Sequence, residues 1–176
     1  MSAMSLDHAP DRPAPATSRP VLLGILLMIA ALIELVEGMS SLPVLFGDMS
    51  KIPGPGVGGF LIKAQIATRV PLALAALATA GFWPRHAITA LAAVALMSWL
   101  GDMPSVVLHG IEFGSMISAV ETVARIVAFP LMAVCAIALA RRNERLWTAA
   151  LLACFPTLFK IAGVVIFAIS VSIYGF

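Results

Sequence analysis

Ser118, Glu121, Thr122 and Arg125 recur at three- and four-residue steps inside a run that is otherwise almost wholly apolar. On an α-helix this spacing places all four on one face. A carboxylate and a guanidinium one turn apart can pair with each other, hold an ion or a proton, or meet the polar head of an amphipathic molecule. Within a stretch long enough to cross a bilayer they cost several kcal/mol unless other segments supply partners. Those segments exist: Glu34, Glu37, Lys63, Gln65, Arg69 and Lys160 all sit inside apolar runs. Glu34 and Glu37 share a face one turn apart. Two ionised carboxylates so placed repel, which suits a proton carrier or a cation site; alternatively Arg69, Arg125 or Lys160 bridges them.

Other chemistries have weaker footing. Gly54, Gly56 and Gly59 spell G-x-G-x-x-G ahead of a helical stretch, but Pro53 and Pro55 replace the strand that a dinucleotide-binding unit requires. His86 falls at the inner turn and His109 in an outer loop, on opposite sides of the membrane, so neither haem nor another metal is expected. Asp102, Ser105 and His109 bring the residue types of a hydrolytic triad into one loop, without spacing that fixes their geometry. Cys135 and Cys154 match no disulfide or C-x-x-C pattern and read as small buried hydrophobes. A formal net charge of +2 over 176 residues, with no basic patch interleaved with aromatics, argues against nucleic acid as a partner. No cofactor is expected.

The elements that position the charges follow from hydropathy. Hydrophobic residues make up 61% of the chain against the roughly 45–50% of soluble domains, and mean hydropathy is +1.03. The reading is an all-α, polytopic membrane bundle of five spans. Residues 1–20, rich in Pro, Ala and Ser with mixed charges, form a disordered cytoplasmic tail. The bundle occupies 21–176. Its spans are expected over Val21–Met39, Leu61–Phe82, Ala87–Leu100, Ser115–Ala140 and from Leu146 to Tyr174, each near the ~20 residues that cross a bilayer. A Gly/Pro-rich outer loop fills 40–60, and a second polar loop, Gly101–Gly114, holds Asp102, His109 and Glu112. Pro71, Pro130 and Pro156 break three spans. Arg12, Arg19, Arg85, Arg141, Arg142 and Arg145 gather on one side, against Lys51 and Lys63 on the other. The positive-inside rule then gives N-in and C-out in a bacterial-type inner membrane. Trp83 and Trp147 fall at the inner interface, Trp99 and Tyr174 at the outer. In layout alone, the hairpins with a short basic inner turn resemble small bacterial membrane families such as the DoxX-like proteins; no residue is carried over from that resemblance.

With this orientation the charges share one layer in the outer half of the bilayer. Glu34, Glu37, Lys63, Arg69, Glu121, Arg125 and Lys160 converge there, with Asp102, His109 and Glu112 at the rim. Two functions fit. The layer is a cavity that binds or moves a small ion, a proton or an amphipathic molecule such as a lipid or quinone. Alternatively it is an internal ion-pair network in a non-catalytic accessory subunit, docked to a larger membrane protein or to a second copy of itself.

Overall fold

A computed structural model describes residues 18–46, 56–110 and 116–175. The tail expected over 1–20 falls almost wholly outside the described residues, as do the centre of the loop expected over 40–60 and Glu112. The elements run α1 (Ser18–Phe46), α2 (Val57–Thr79), α3 (Pro84–His109), α4 (Met116–Val123), a π-helical turn (Ala124–Ala128), α5 (Phe129–Arg142) and α6 (Leu146–Tyr174). No strand occurs among the described residues. Five helical stretches are long and apolar enough to cross a membrane: Val21–Phe46, Val57–Thr79, Pro84–His109, Ala119–Arg142 and Leu146–Tyr174.

Several boundaries differ from the sequence expectation. Helix α1 passes Met39 and reaches Phe46, so residues 40–46 of the expected loop are helical, as are 57–60 at its other end. The Ser40 and Ser41 hydroxyls donate to the Glu37 carbonyl at 2.7 and 2.9 Å, and Leu42, Val44, Leu45 and Phe46 then restore apolar side chains. Helix α3 starts at Pro84, a favourable first-turn position for proline, and ends where Gly110 takes φ 73° and donates its N–H to Val106 O. Asp102, Ser105 and His109 therefore ride the last two turns of a helix rather than a loop.

One half of the bundle is closely packed. Helices α2 and α3 make the most extensive pairing, and α3 also packs on α5 and α6. The core is largely alanine: Ala76 on α2 and Ala80 just past its end, Ala87 and Ala92 on α3, Ala133, Ala136 and Ala140 on α5, and Ala149, Ala150 and Ala153 on α6 meet Leu23, Leu27 and Ile88. Small side chains at helical spacing let the backbones approach, and dispersion between close helices holds a bundle in which water drives nothing. Gly24 continues the pattern, since a Cβ there would stand 3.3 Å from the Ala80 carbonyl oxygen. Cys154 is buried in this core, as expected of it, whereas Cys135, also expected to be buried, is exposed on the face of α5 that carries the exposed Leu131 and Val134. The α5–α6 hairpin turns through Asn143 and Arg145, both with positive φ, and the Asn143 N–H caps α5 on Ala140 and Leu139.

The other half is open. Helix α4 touches little besides the π turn that follows it, and α6 beyond Ile161 is exposed along Ala162–Ile169. The polar residues lie where the packed half gives way to the open one.

Candidate functional site

Glu34, 3% exposed, is the most deeply set charge among the described residues. It faces α2 and α6 from a helix face whose next residues towards the packed half are Ala30, Ala31 and Leu27. From α2, Arg69 donates Nε and Nη2 to Glu34 Oε2 at 3.0 and 2.6 Å, and Nη2 also reaches Glu37 Oε2. From α6, Thr157 Oγ1 donates to Glu34 Oε1 at 2.7 Å. Lys160, one turn on, holds Nζ 3.4 Å from Glu37 Oε2 and 3.7 Å from Glu34 Oε1. Three helices are thus tied through one carboxylate with both oxygens occupied. Gly38 makes the approach of α1 to α2 feasible, because a Cβ there would lie 2.9 Å from Val70 Cγ2 and 3.5 Å from Arg69 Cγ.

This network forms the floor of a cavity of about 1200 Å³ between α3, α4, the π turn and α6. Its charged wall carries Glu34, Arg69, Asp102, Glu121, Arg125 and Lys160; its apolar wall includes Leu91, Phe129, Phe159, Ile166 and Phe167. Glu121 and Arg125 pair at 2.8 Å along their own helix, about half exposed on each side. Asp102 forms no ion pair among the described residues, although it lies in the field of Arg125, Lys160 and Arg69.

Beside the cavity-lining Phe129, Pro130 interrupts the backbone hydrogen bonding of the helix. Lacking an N–H, it cannot serve the carbonyl four residues back, that of Ile126. Trp99 of α3 does so instead, its indole Nε1–H donating to Ile126 O at 2.9 Å. The helix widens into the π turn at this point, with the Phe129 N–H reaching back five residues to Ala124 O. Wide turns of this kind often occur at functional sites.

The residues expected to converge therefore divide. Glu34, Glu37, Arg69 and Lys160 form one network. Glu121 and Arg125 face the same cavity but pair with each other, so Arg125 does not bridge the glutamates. Asp102 lines the cavity. Lys63 is half-buried on α2, with no ion pair among the described residues. His109 is exposed and its Nδ1 lies 3.2 Å from the Ser105 carbonyl, not its hydroxyl, so no Ser–His–Asp relay forms among the described residues. Gly54 is outside the described residues, Gly56 precedes α2, and the element before it among the described residues is α1.

Two roles, those of Thr157 and Trp99, are not read from the sequence, and Gln65, singled out there as a polar group in an apolar run, has a partner that the sequence does not name. Thr157 lies three residues before Lys160, on the same helical face, and could have been found from that spacing. Trp99 was assigned to the interfacial belt, yet the carbonyl that Pro130 orphans calls for a donor, and an indole is a donor only. Gln65 packs its side chain over Gly101, where a Cβ would overlap it; no sequence signal pairs the two.

Compared with known protein families, curated proteins and solved structures, the chain matches none.

Proposed function

We propose that the chain is a membrane-embedded binding protein for an amphipathic molecule, which enters from the bilayer and sets its polar head against the charged wall and its tail along α6. The observation that carries this reading is the pairing of a charged floor with apolar walls in a cavity of about 1200 Å³. That exceeds the ~300–1000 Å³ of ordinary small-molecule sites and far exceeds what a bare ion needs. Binding is favoured over conduction because the other half of the bundle is closed by side chains such as Leu27, Ile88 and Ala136 at 0% exposure. The carboxylate of Glu34, already paired on both oxygens, serves as structure, and the half-exposed Asp102, Glu121, Arg125 and Lys160 serve as the surface offered to the head.

The reading includes an N-in, C-out orientation in a bacterial-type inner membrane, supported by Arg85 and Arg141, Arg142 and Arg145 at the two helix turns of one end. A cysteine at Val57 should react with an impermeant thiol reagent from outside the cell and one at Glu144 should not, in a background with Cys135 and Cys154 replaced by alanine. The opposite labelling would reverse the orientation.

A second reading, an accessory subunit docked through α6, draws on the exposed apolar run Val164–Phe167. Purification in mild detergent followed by native mass spectrometry separates the two. A lone chain carrying a bound lipid or quinone supports the binding protein, whereas a stoichiometric larger subunit on a ligand-free chain supports the accessory role.

A further inference from the structure

The charged wall carries both signs: Glu34, Asp102 and Glu121 line the cavity with Arg69, Arg125 and Lys160, and Glu37 at the floor shares Arg69 and Lys160 with Glu34. At hydrocarbon depth a head with a net negative charge would add to an acid that has no cation of its own, which low dielectric makes costly. Two pairs are closed: Arg69 with Glu34 at 2.6 Å and Arg125 with Glu121 at 2.8 Å. Of the cavity-lining charges outside these pairs, Lys160 and Asp102 are the loosely held ones. Lys160 reaches its carboxylates only at 3.4 and 3.7 Å, and Asp102 has no ion-pair partner among the described residues. The surface offered to a ligand is therefore an acceptor-only carboxylate and an ammonium, set apart on α3 and α6.

Resting on the binding reading above, we propose that the occupant is a phospholipid with a zwitterionic head bearing a primary amine, of the phosphoethanolamine type. Its ammonium meets Asp102, its phosphate meets Lys160 with Arg125 beside it, and an acyl chain lies on Phe159, Ile166 and Phe167. Each alternative head leaves one group unmet. A quinone carries only acceptors and gives Asp102 nothing; a choline head has the charge but no N–H to donate; an anionic glycerol head answers Lys160 and adds a negative charge beside Asp102.

The test uses the full chain, delipidated in mild detergent and titrated separately with phosphatidylethanolamine, phosphatidylcholine, phosphatidylglycerol and a ubiquinone, with bound adducts counted by native mass spectrometry. Phosphatidylethanolamine should bind about tenfold more tightly than phosphatidylcholine, the equivalent of one charge-assisted hydrogen bond. Asp102→Asn should shrink that ratio towards one while leaving the melting temperature in detergent near that of the wild type. Equal binding of the two lipids by the wild type, or preference for the anionic lipid or the quinone, would overturn the zwitterion assignment and leave the amphipath reading standing. No adduct with any of the four would overturn the binding reading itself. The wild-type ratio alone decides the question if the Asp102 variant fails to fold.

Discussion

Arg69 directs two hydrogen-bond donors, Nε and Nη2, to a single oxygen of Glu34, at 3.0 and 2.6 Å, while Thr157 takes the other oxygen at 2.7 Å. The carboxylate is thus fixed from α2 and α6 at once. A buried ion pair of this kind adds little over apolar residues of the same volume, but losing one partner strands a charge. What it specifies is the register of α1 against the other two helices, which sets the cavity floor.

The arginine is accordingly the residue whose loss should be felt most. Arg69→Met leaves Glu34 with Lys160 at 3.7 Å as its nearest cation and should cost about 3–5 kcal/mol. Adding Glu34→Leu to the same chain removes the stranded charge and should restore much of that loss. Denaturation in mixed micelles reads both values, and a double variant no more stable than the single one would show that the two residues do not act as a pair.

Much of this was legible in the sequence, for a physical reason. Ionisable side chains are so disfavoured in apolar runs that each demands a partner, and once the helices are stacked the depths of Glu34, Glu37, Arg69 and Lys160 follow from 1.5 Å per residue. Which groups then touch depends on rotation about each helix axis, and the sequence carries that weakly. Arg125 had the right depth to reach the glutamates yet pairs along its own helix. Of the face from Ser118 to Arg125 on which the sequence analysis opens, Glu121 and Arg125 line the cavity's wall rather than its centre. Asp102 was displaced by a boundary error: the polar residues after Leu100 look like a loop, but they sit on a continuing helix and line the cavity.

The Glu121–Arg125 pair should behave quite differently from the Glu34–Arg69 pair. Both side chains are about half exposed, so with water in the cavity the pair is screened and is worth no more than about 1 kcal/mol. Arg125→Met should therefore lower stability far less than Arg69→Met in the same assay. Equal losses would mean that the cavity is dry and that Glu121 is stranded in hydrocarbon.

Gly38 tests how tightly the floor is built. A methyl group there meets Val70 Cγ2 at 2.9 Å and the Arg69 stem at 3.5 Å, so Gly38→Ala must push α2 outward or turn Val70 to another rotamer. The expected loss is about 1–3 kcal/mol. Val70→Ala opens the space for the new methyl, and Gly38→Ala should then cost markedly less in that background than alone. Unchanged cost would place the constraint on the helix backbone instead.

The link between Trp99 and Pro130 yields a sharper cycle, because each residue supplies what the other lacks. Pro130 removes the N–H that would have answered the Ile126 carbonyl, and the Trp99 indole N–H answers it from α3 at 2.9 Å. Trp99→Phe keeps an aromatic ring on the cavity wall but removes the donor, leaving the carbonyl unpaired at a cost of about 1 kcal/mol, the lower end expected for a lost hydrogen bond between membrane helices. Pro130→Ala gives the backbone its own donor, so the same Trp99→Phe change should then cost little, and the π turn should tighten towards regular α-helix. Amide hydrogen exchange around Ala124–Ala128 reports the second effect: Trp99→Phe should speed exchange there, and Pro130→Ala should slow it in either background. Identical costs for Trp99→Phe with and without Pro130 would show that the indole is not standing in for the missing backbone bond.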